Sequence, residues 1–311
     1  MLSVRDLSVS YGAHQALSAL SLDAASGTLI AVIGPNGAGK TTFIKALCGR
    51  VASTGTIAID GHDLKRGADR RATIGLVPQD IGLYPHMTAL ENLSVMARLM
   101  GVPRSERQDA AAKALSAVGM DAKSAERVSH LSGGMKRRIN VAAAIMHQPK
   151  VLIFDEPTAG VDIPARDVVH RLARTMAERG MVVLLVTHEL EQAEALCDKV
   201  LLLAEGKRVD FEAPAALLER YFGDQRDIIV RFAGPPDDQA RAAMTPFGFE
   251  EAELPTVFSA RTLASEVSFV SAFMAAIRTA DQTVREIVVR RPGLPALLHQ
   301  IQAQQTSDQA A

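Results

Sequence analysis

Along the chain the hydrophobic positions change period in a way that sorts it into layers. Between Thr28 and Leu203, short apolar runs are each followed by a stretch whose apolar residues return at helical spacing. The runs Thr28 to Ile33, Ile74 to Val77, Val151 to Phe154, Met181 to Val186 and Val200 to Leu203 are rich in Val, Ile and Leu and do not alternate. That is the pattern of parallel strands covered on both faces, so a parallel sheet with helices packed on it is predicted. Upstream, Ser3 to Tyr11 and Leu17 to Asp23 do alternate, which predicts a small antiparallel sheet at the N-terminus.

From Leu83 the strand signal stops, and Leu90, Leu93, Met96, Ala97 and Met100 fall on one helical stripe. A helical insert over residues 83–130 follows. Thr88 with Glu91 three positions on reads as a capping box that starts its first helix; Gly101 and Pro103 read as the stop, and a second helix is expected from Ser105 to Val118. After Tyr221-Phe222-Gly223-Asp224 the composition shifts, and the domain boundary is placed there: residues 1–222 form one domain and 223–311 a smaller one. The second reads strand (Asp227 to Phe232), helix (Asp237 to Met244), extended segment (Glu250 to Ala260), helix (Glu266 to Thr279), strand (Thr283 to Arg290) and a last helix, a small α+β domain. Gln302 to Ala311, polar and small, is expected to fray or be disordered.

Composition narrows this picture without redirecting it. The 311 residues are 48% hydrophobic, yet no apolar run approaches the roughly 18 residues that a membrane helix needs. The first residues, Met1 to Leu7, carry an early acid and do not resemble a secretory signal, so a cytoplasmic protein is expected. Two cysteines, Cys48 and Cys197, offer neither a disulfide framework nor a CxxC pattern and read as small buried thiols in helices. A net charge of −1 gives no footprint for nucleic acid, and none is expected as a partner. Lys136-Arg137-Arg138, the sharpest basic run, reads as a solvated helix face.

Three segments carry chemistry. Gly34-Pro35-Asn36-Gly37-Ala38-Gly39-Lys40-Thr41 joins an apolar strand to a helix. Its glycines let backbone N–H groups curl around phosphates, Lys40 supplies a cation for the β and γ phosphates, and Thr41 offers a hydroxyl to Mg²⁺. Val151-Leu152-Ile153-Phe154-Asp155-Glu156 is an apolar strand ending in two acids, one suited to a metal ion and the other to polarising water, although acids also simply cap strand ends. Leu131-Ser132-Gly133-Gly134-Met135 places a hydroxyl and two glycines before a helix, which suits an anion at a helix N-terminus and equally an ordinary turn.

Together these segments resemble the ABC ATPases, over roughly the first 220 positions. The resemblance implies a P-loop NTPase cassette, α/β with a mixed-sheet core and a helical subdomain. ATP and Mg²⁺ are the cofactors it implies. It makes Gly34, Pro35, Asn36, Gly37, Ala38, Gly39, Lys40, Thr41 and Thr42 the phosphate loop, and Tyr11 the aromatic that stacks on adenine. Thr41, Gln79 and Asp155 then belong to the metal site, with Glu156 the catalytic glutamate and His188 the switch histidine. Ser132, Gly133 and Gly134 are the signature that meets the γ-phosphate of ATP held by a second subunit. Asp162 belongs to the loop that communicates across that dimer, although before Pro164 it also reads as a helix N-cap. Met135, where the family more often has glutamine, is a departure that removes a polar contact to the partner's nucleotide.

Because the phosphate loop and the signature resemble halves of one composite site, a dimer of cassettes is implied. With no span in this chain, the membrane permease must be a separate polypeptide that holds the motor at the inner face of the membrane. The wording Gly-Pro-Asn-Gly-Ala-Gly-Lys-Thr-Thr and Asp-Glu-Pro-Thr-Ala-Gly-Val-Asp resembles the bacterial drug and polysaccharide exporter group. Two alternatives stand beside this at the level of sequence: a soluble ABC ATPase acting on nucleic acid or ribosomes, and an ATP sensor without turnover. The first would bring a second cassette or a long coiled coil, neither of which is seen. The second would need neither Glu156 nor His188.

Overall fold

A computed structural model of the chain describes residues 1–64, 67–158, 163–252, 254–263, 266–278, 280 and 282–310. By internal packing the chain divides into two units, Met1–Pro214 and Ala215–Ala311.

The first unit opens with β1 (Leu2–Tyr11) and β2 (His14–Ala24), whose alternating burial is that of strands with one face on the core. β3 (Leu29–Ile33), buried along its whole length, leads into α1 (Lys40–Leu47). β4 (Thr54–Ile59), the short β5 (His62–Asp63), α2 (Gly67–Thr73) and β6 (Ile74–Val77) follow. The helical insert holds α3 (Ala89–Leu99), α4 (Arg107–Ala117) and α5 (Gly133–Ile145), packed on one another. β7 (Val151–Asp155), α6 (Ile163–Glu178), β8 (Val182–Val186), α7 (Leu190–Leu196), β9 (Lys199–Ala204) and β10 (Lys207–Glu212) complete the unit.

Two sheets result. β2-β1-β4-β5 is antiparallel, and β10-β9-β3-β8-β7-β6 is parallel except for the β9–β10 hairpin. The apolar runs become its five parallel strands because every residue of β3 and β8 is buried, so uninterrupted Val, Ile and Leu are what the layer demands. Thr88 caps α3 as expected: its hydroxyl accepts the Glu91 N–H at 3.1 Å and the Glu91 carboxylate accepts the Thr88 N–H at 2.8 Å. Fully buried Asn92 then fastens the preceding loop, accepting from the Tyr84 N–H at 2.7 Å and donating to the Tyr84 and Thr88 carbonyls at 3.0 and 2.9 Å.

Apart from Pro214, which opens α8 (Pro214–Phe222), the second unit comprises that helix, β11 (Arg226–Phe232), α9 (Asp238–Met244), β12 (Glu250–Glu251), β13 (Val257–Thr262), α10 (Glu266–Arg278), β14 (Val284–Arg290) and α11 (Leu294–Ala310). From β11 on, the order βαββαβ with an antiparallel sheet β12-β13-β11-β14 is the split-βαβ, ferredoxin-like arrangement. Ile228, Val230, Phe232 and Phe258 on the sheet meet Met244, Phe273 and Ile277 on the helices, with Phe249 and Phe273 rings 4.7 Å apart.

Three expectations are corrected. By internal packing the division falls in the first turn of α8, between Pro214 and Ala215, rather than after Phe222, and within the smaller unit the Arg261 guanidinium lies over the Phe222 ring at 4.5 Å. The segment from Gln302 is helical through Ala310, since its glutamines and alanines favour helix and no Gly or Pro interrupts them. The cysteines sit one position past the ends of α1 and α7, Cys48 half-buried and Cys197 buried, and burial pushes their thiols up to about 11 and about 12.

Candidate functional site

The parallel register decides where the chemistry gathers. Val32 of β3 pairs with Val186 of β8, Asp155 of β7 with the same Val186, and Val77 of β6 with Phe154. The residues just beyond these strands therefore leave the sheet at one carboxyl edge, the edge where open α/β sheets bind ligands. They are Gly34 to Gly39, Glu156, Thr187 with His188, and Pro78 with Gln79.

The turn after β3 is built for an anion. Gly39 caps α1 at φ 97°, and a Cβ there would stand 2.8 Å from Leu17 Cδ2 and 2.9 Å from the Ala16 carbonyl oxygen, so only glycine fits. Gly37, at φ 81° with open space around it, needs glycine for conformation alone. Gly34, Pro35 and Ala38 are buried, Asn36 and Gly37 exposed, and Thr41 and Thr42 lie in the first turn of α1. Lys40 is only 8% exposed, and its ammonium donates to the Gly34 and Pro35 carbonyls at 2.6 and 2.8 Å. Burial lowers its pKa, and the charge of Glu156 opposes that shift, which places the carboxylate in its field.

Across from this loop, Glu156 Oε1 lies 2.7 Å from His188 Nε2. Glu156 holds φ at 46°, a conformation that costs energy outside glycine, while its N–H donates to the Val186 carbonyl at 3.0 Å. The β7–β8 ladder thus extends one residue and the side chain is turned toward His188. Asp155 has its pKa raised, first by burial and then by Glu156, with Arg50 and Lys45 opposing. Tyr11, 47% exposed, ends β1 opposite His14, on the hairpin whose second strand lies against Gly39. Gln79 is exposed just past β6. Ser132 caps α5, its hydroxyl accepting the Met135 N–H at 3.3 Å, and Gly133 beside it is exposed. Gly134 is closed in, because a Cβ on it would come within 2.9 Å of Ala165 Cβ. Among the described residues no hydrogen bond joins Ser132 to Gly134 with the phosphate loop of the same chain. Asp162 lies outside the described residues.

A family model described as ABC transporter matches residues 17–159. The linearmycin resistance ATP-binding protein LnrL of Bacillus subtilis is 36% identical over 72% of this chain and 73% of its own length. The chain belongs to the ABC transporter ATP-binding family. The Nod factor export ATP-binding protein I of Paraburkholderia xenovorans is 38% identical over 76% of this chain and 78% of its own. Among solved structures, an ATP-binding subunit of an ABC transporter superposes with a TM-score of 0.62 at 30% identity, covering 72% of this chain and 93% of the other. Clostridium perfringens cbiO1, part of an ABC transporter complex, gives 0.64 at 28% identity over 71% and 91%.

Within this ABC cassette two supporting groups lie outside the motifs. Arg137 is 2% exposed, not part of a solvated face; successive helix positions point about 100° apart, so three adjacent cations cannot all face water on a packed helix. Its Nη1 donates to the Pro78 carbonyl at 2.9 Å, and Asn140 Nδ2 lies 3.5 Å from that oxygen and 3.4 Å from the Asp80 carbonyl. The second group holds the residue after the switch histidine. Glu189 Oε1 meets Arg166 Nη1 at 3.0 Å, and its Oε2 is 3.2 Å from Nε2 of buried His170, both partners on α6. The i, i+4 spacing of Arg166 and His170 was the legible signal for the second group. For the first it was a charge run on a helix too apolar to be solvated.

Proposed function

We propose that this chain is the ATP-hydrolysing motor of a membrane exporter, acting as a head-to-tail dimer of cassettes on separate permease subunits. The observation that carries the reading is the 2.7 Å pairing of Glu156 with His188 at the sheet edge that also bears the phosphate loop. A binding-only protein has no use for a strained carboxylate aimed at an imidazole beside bound phosphates. The relatives named for linearmycin resistance and for Nod factor export support the direction of transport.

The donor set fits Mg²⁺. Asp155 is a half-buried carboxylate whose pKa is raised first by burial and then by Glu156, so a cation beside it would favour its charged form, and Thr41 supplies a hydroxyl at the first turn of α1. No group of three His, Cys, Asp or Glu forms a metal cage among the described residues, as suits an ion held through one carboxylate, phosphate oxygens and water. When bound, the ion would screen the phosphate charge, with Gln79 reaching toward it from the end of β6.

This chain's residues then do the following. Tyr11 stacks on the base, the N–H groups from Gly34 to Thr42 hold the phosphates, and Lys40 leaves its carbonyl partners for the β and γ oxygens. Glu156 orients the attacking water and takes its proton, while His188 keeps the carboxylate aimed and meets the γ-phosphate. Ser132 and Gly133, exposed at the N-terminus of a helix of 13 residues, meet the γ-phosphate on a second cassette, with Gly134 packed close behind them. Asp162 serves the same dimer contact. Exposed Ile81 and Tyr84, following Gln79, offer the permease a surface where hydrolysis is felt. No described helix is long and apolar enough to cross a membrane; in this reading the motor is held at the membrane by that permease.

The test is the Mg²⁺-dependent ATPase rate against protein concentration, for the native chain and Glu156→Gln. The expected result is a rate rising faster than linearly, abolished by the substitution while ATP binding persists. A rate strictly proportional to concentration, or turnover retained by Glu156→Gln, would refute the motor.

A further inference from the structure

The run Lys136-Arg137-Arg138 puts its middle cation inside the cassette, and the partners it finds there are unusual. Arg137 has no carboxylate within ion-pair distance among the described residues; its partner is the neutral Pro78 carbonyl, and its Nε has no acceptor. Burial pulls its pKa down, with the charge of Asp80 opposing. Removing a guanidinium from water for one hydrogen bond to a neutral group costs stability, and an apolar side chain of similar length would fill the same space more cheaply. Packing alone therefore does not account for Arg137.

What the side chain holds is more telling than what it costs. Pro78 and Asp80 flank Gln79, and the carbonyls of both are held from a single face of α5, by Arg137 and by Asn140 three positions on. Gln79 itself is left exposed between two tethered neighbours. The other end of the link is the N-terminus of the same helix, where Ser132 and Gly133 are exposed. A helix is stiff over this distance, so a displacement of its N-terminus is delivered to the backbone on either side of Gln79.

We infer that Arg137 is a positioning residue for the hydrolysis reaction: from the signature helix it clamps the Pro78 carbonyl, and so sets where Gln79 stands relative to the bound nucleotide. The inference rests on the motor reading above, and extends it by naming the side chain through which engagement of a partner's nucleotide at Ser132 to Gly134 reaches Gln79. Arg137 touches neither ATP nor the reacting atoms. Its effect passes through Gln79 alone.

That last property gives the test, a double-substitution cycle on the full chain. Arg137→Gln is expected to lower kcat about tenfold, the scale of a misplaced catalytic group, with KM for ATP unchanged and a higher Mg²⁺ concentration needed for half-maximal rate. On a Gln79→Ala background the same substitution is expected to cost less than about twofold, because the group it positions is already gone. Arg137→Lys, which keeps the charge but not the planar fork, is expected to recover part of the rate. An equal tenfold loss on both backgrounds overturns the clamp and leaves the motor intact. So does a fall in melting temperature with unchanged kcat. Retained turnover in Glu156→Gln, measured alongside, would instead overturn the motor reading on which the clamp depends. Should Arg137→Gln not fold, Asn140→Ala is read in the same cycle: loss confined to the Gln79 background supports the clamp, and additive loss overturns it.

Discussion

Lys40 sits on the carbonyls of its own loop, and that makes the effect of Lys40→Met on folding separable from its effect on nucleotide binding. Without nucleotide the ammonium donates two hydrogen bonds, at 2.6 and 2.8 Å, and a charged donor contributes about 1.5–3 kcal/mol to each. Against this stands the cost of burying an ammonium at 8% exposure, several kcal/mol, in the same sense as the lowered pKa. The two are of similar size and opposite sign, so Lys40→Met is expected to change the stability of the nucleotide-free cassette by no more than about 1 kcal/mol, or about 2–4 °C in melting temperature. Nucleotide breaks the balance, because a ligand at one hundred times its Kd stabilises its host by about 2.7 kcal/mol. In thermal denaturation with Mg²⁺ and ATP, performed on Glu156→Gln to prevent turnover, the native loop should therefore gain about 5–10 °C. Lys40→Met should gain almost nothing. A nucleotide-free loss above about 3 kcal/mol would mean that the ammonium is a structural tie. A full ATP-dependent gain in Lys40→Met would mean that the loop does not use it for phosphate.

Three further outcomes follow from side chains that touch no nucleotide. Asn92→Ala leaves the N–H and carbonyl of Tyr84 without their partner and should cost about 2–3 kcal/mol, read by urea denaturation as a lower midpoint at constant slope. His170 has its pKa lowered from 6.5, chiefly by burial with Glu189 opposing, so the unfolded chain binds more protons as pH falls below that value. Its contribution is whole above pH 6.5 and is lost as pH falls through the folded pKa; His170→Gln should flatten that decline in a series of melts. Cys48 and Cys197, with thiols pushed up to about 11 and about 12, should resist iodoacetamide at pH 8 in the folded chain and react once it is unfolded.

The parallel strands and the capped helix of the insert were legible because burial on both faces and an orphaned helix N-terminus each restrict residue type strongly. Val182 to Val186 tolerates no polar residue, and Thr88 with Glu91 satisfies donors that the helix cannot. Strand order was not legible. β3 lies between β8 and β9, and that placement depends on contacts among segments far apart in the chain. The domain boundary was displaced for a related reason: α8 looks like the last helix of the cassette until the ring of Phe222 is seen beneath Arg261.

At the site, legibility followed how narrowly the chemistry restricts the residue. A phosphate turn at φ 97° with no room for Cβ can only be glycine, and a carboxylate aimed at an imidazole 2.7 Å away has few substitutes, so Gly39, Glu156 and His188 stand out in sequence. The residues that hold these groups in place meet a weaker demand. Many side chains could cap the Pro78 carbonyl or grip Glu189, so the only signals along the chain for Arg137, Asn140, Arg166 and His170 are a charge run and an i, i+4 spacing, neither of which names a partner. The supports sit on two helices, Arg137 and Asn140 on α5 behind Ser132, and Arg166 and His170 on α6. The first holds the carbonyls on either side of Gln79, and the second lies against Glu189, the residue after His188. In the proposed dimer, the backbone on either side of Gln79 is thus tied to the helix that carries Ser132, a juxtaposition that appears only once the chain is folded.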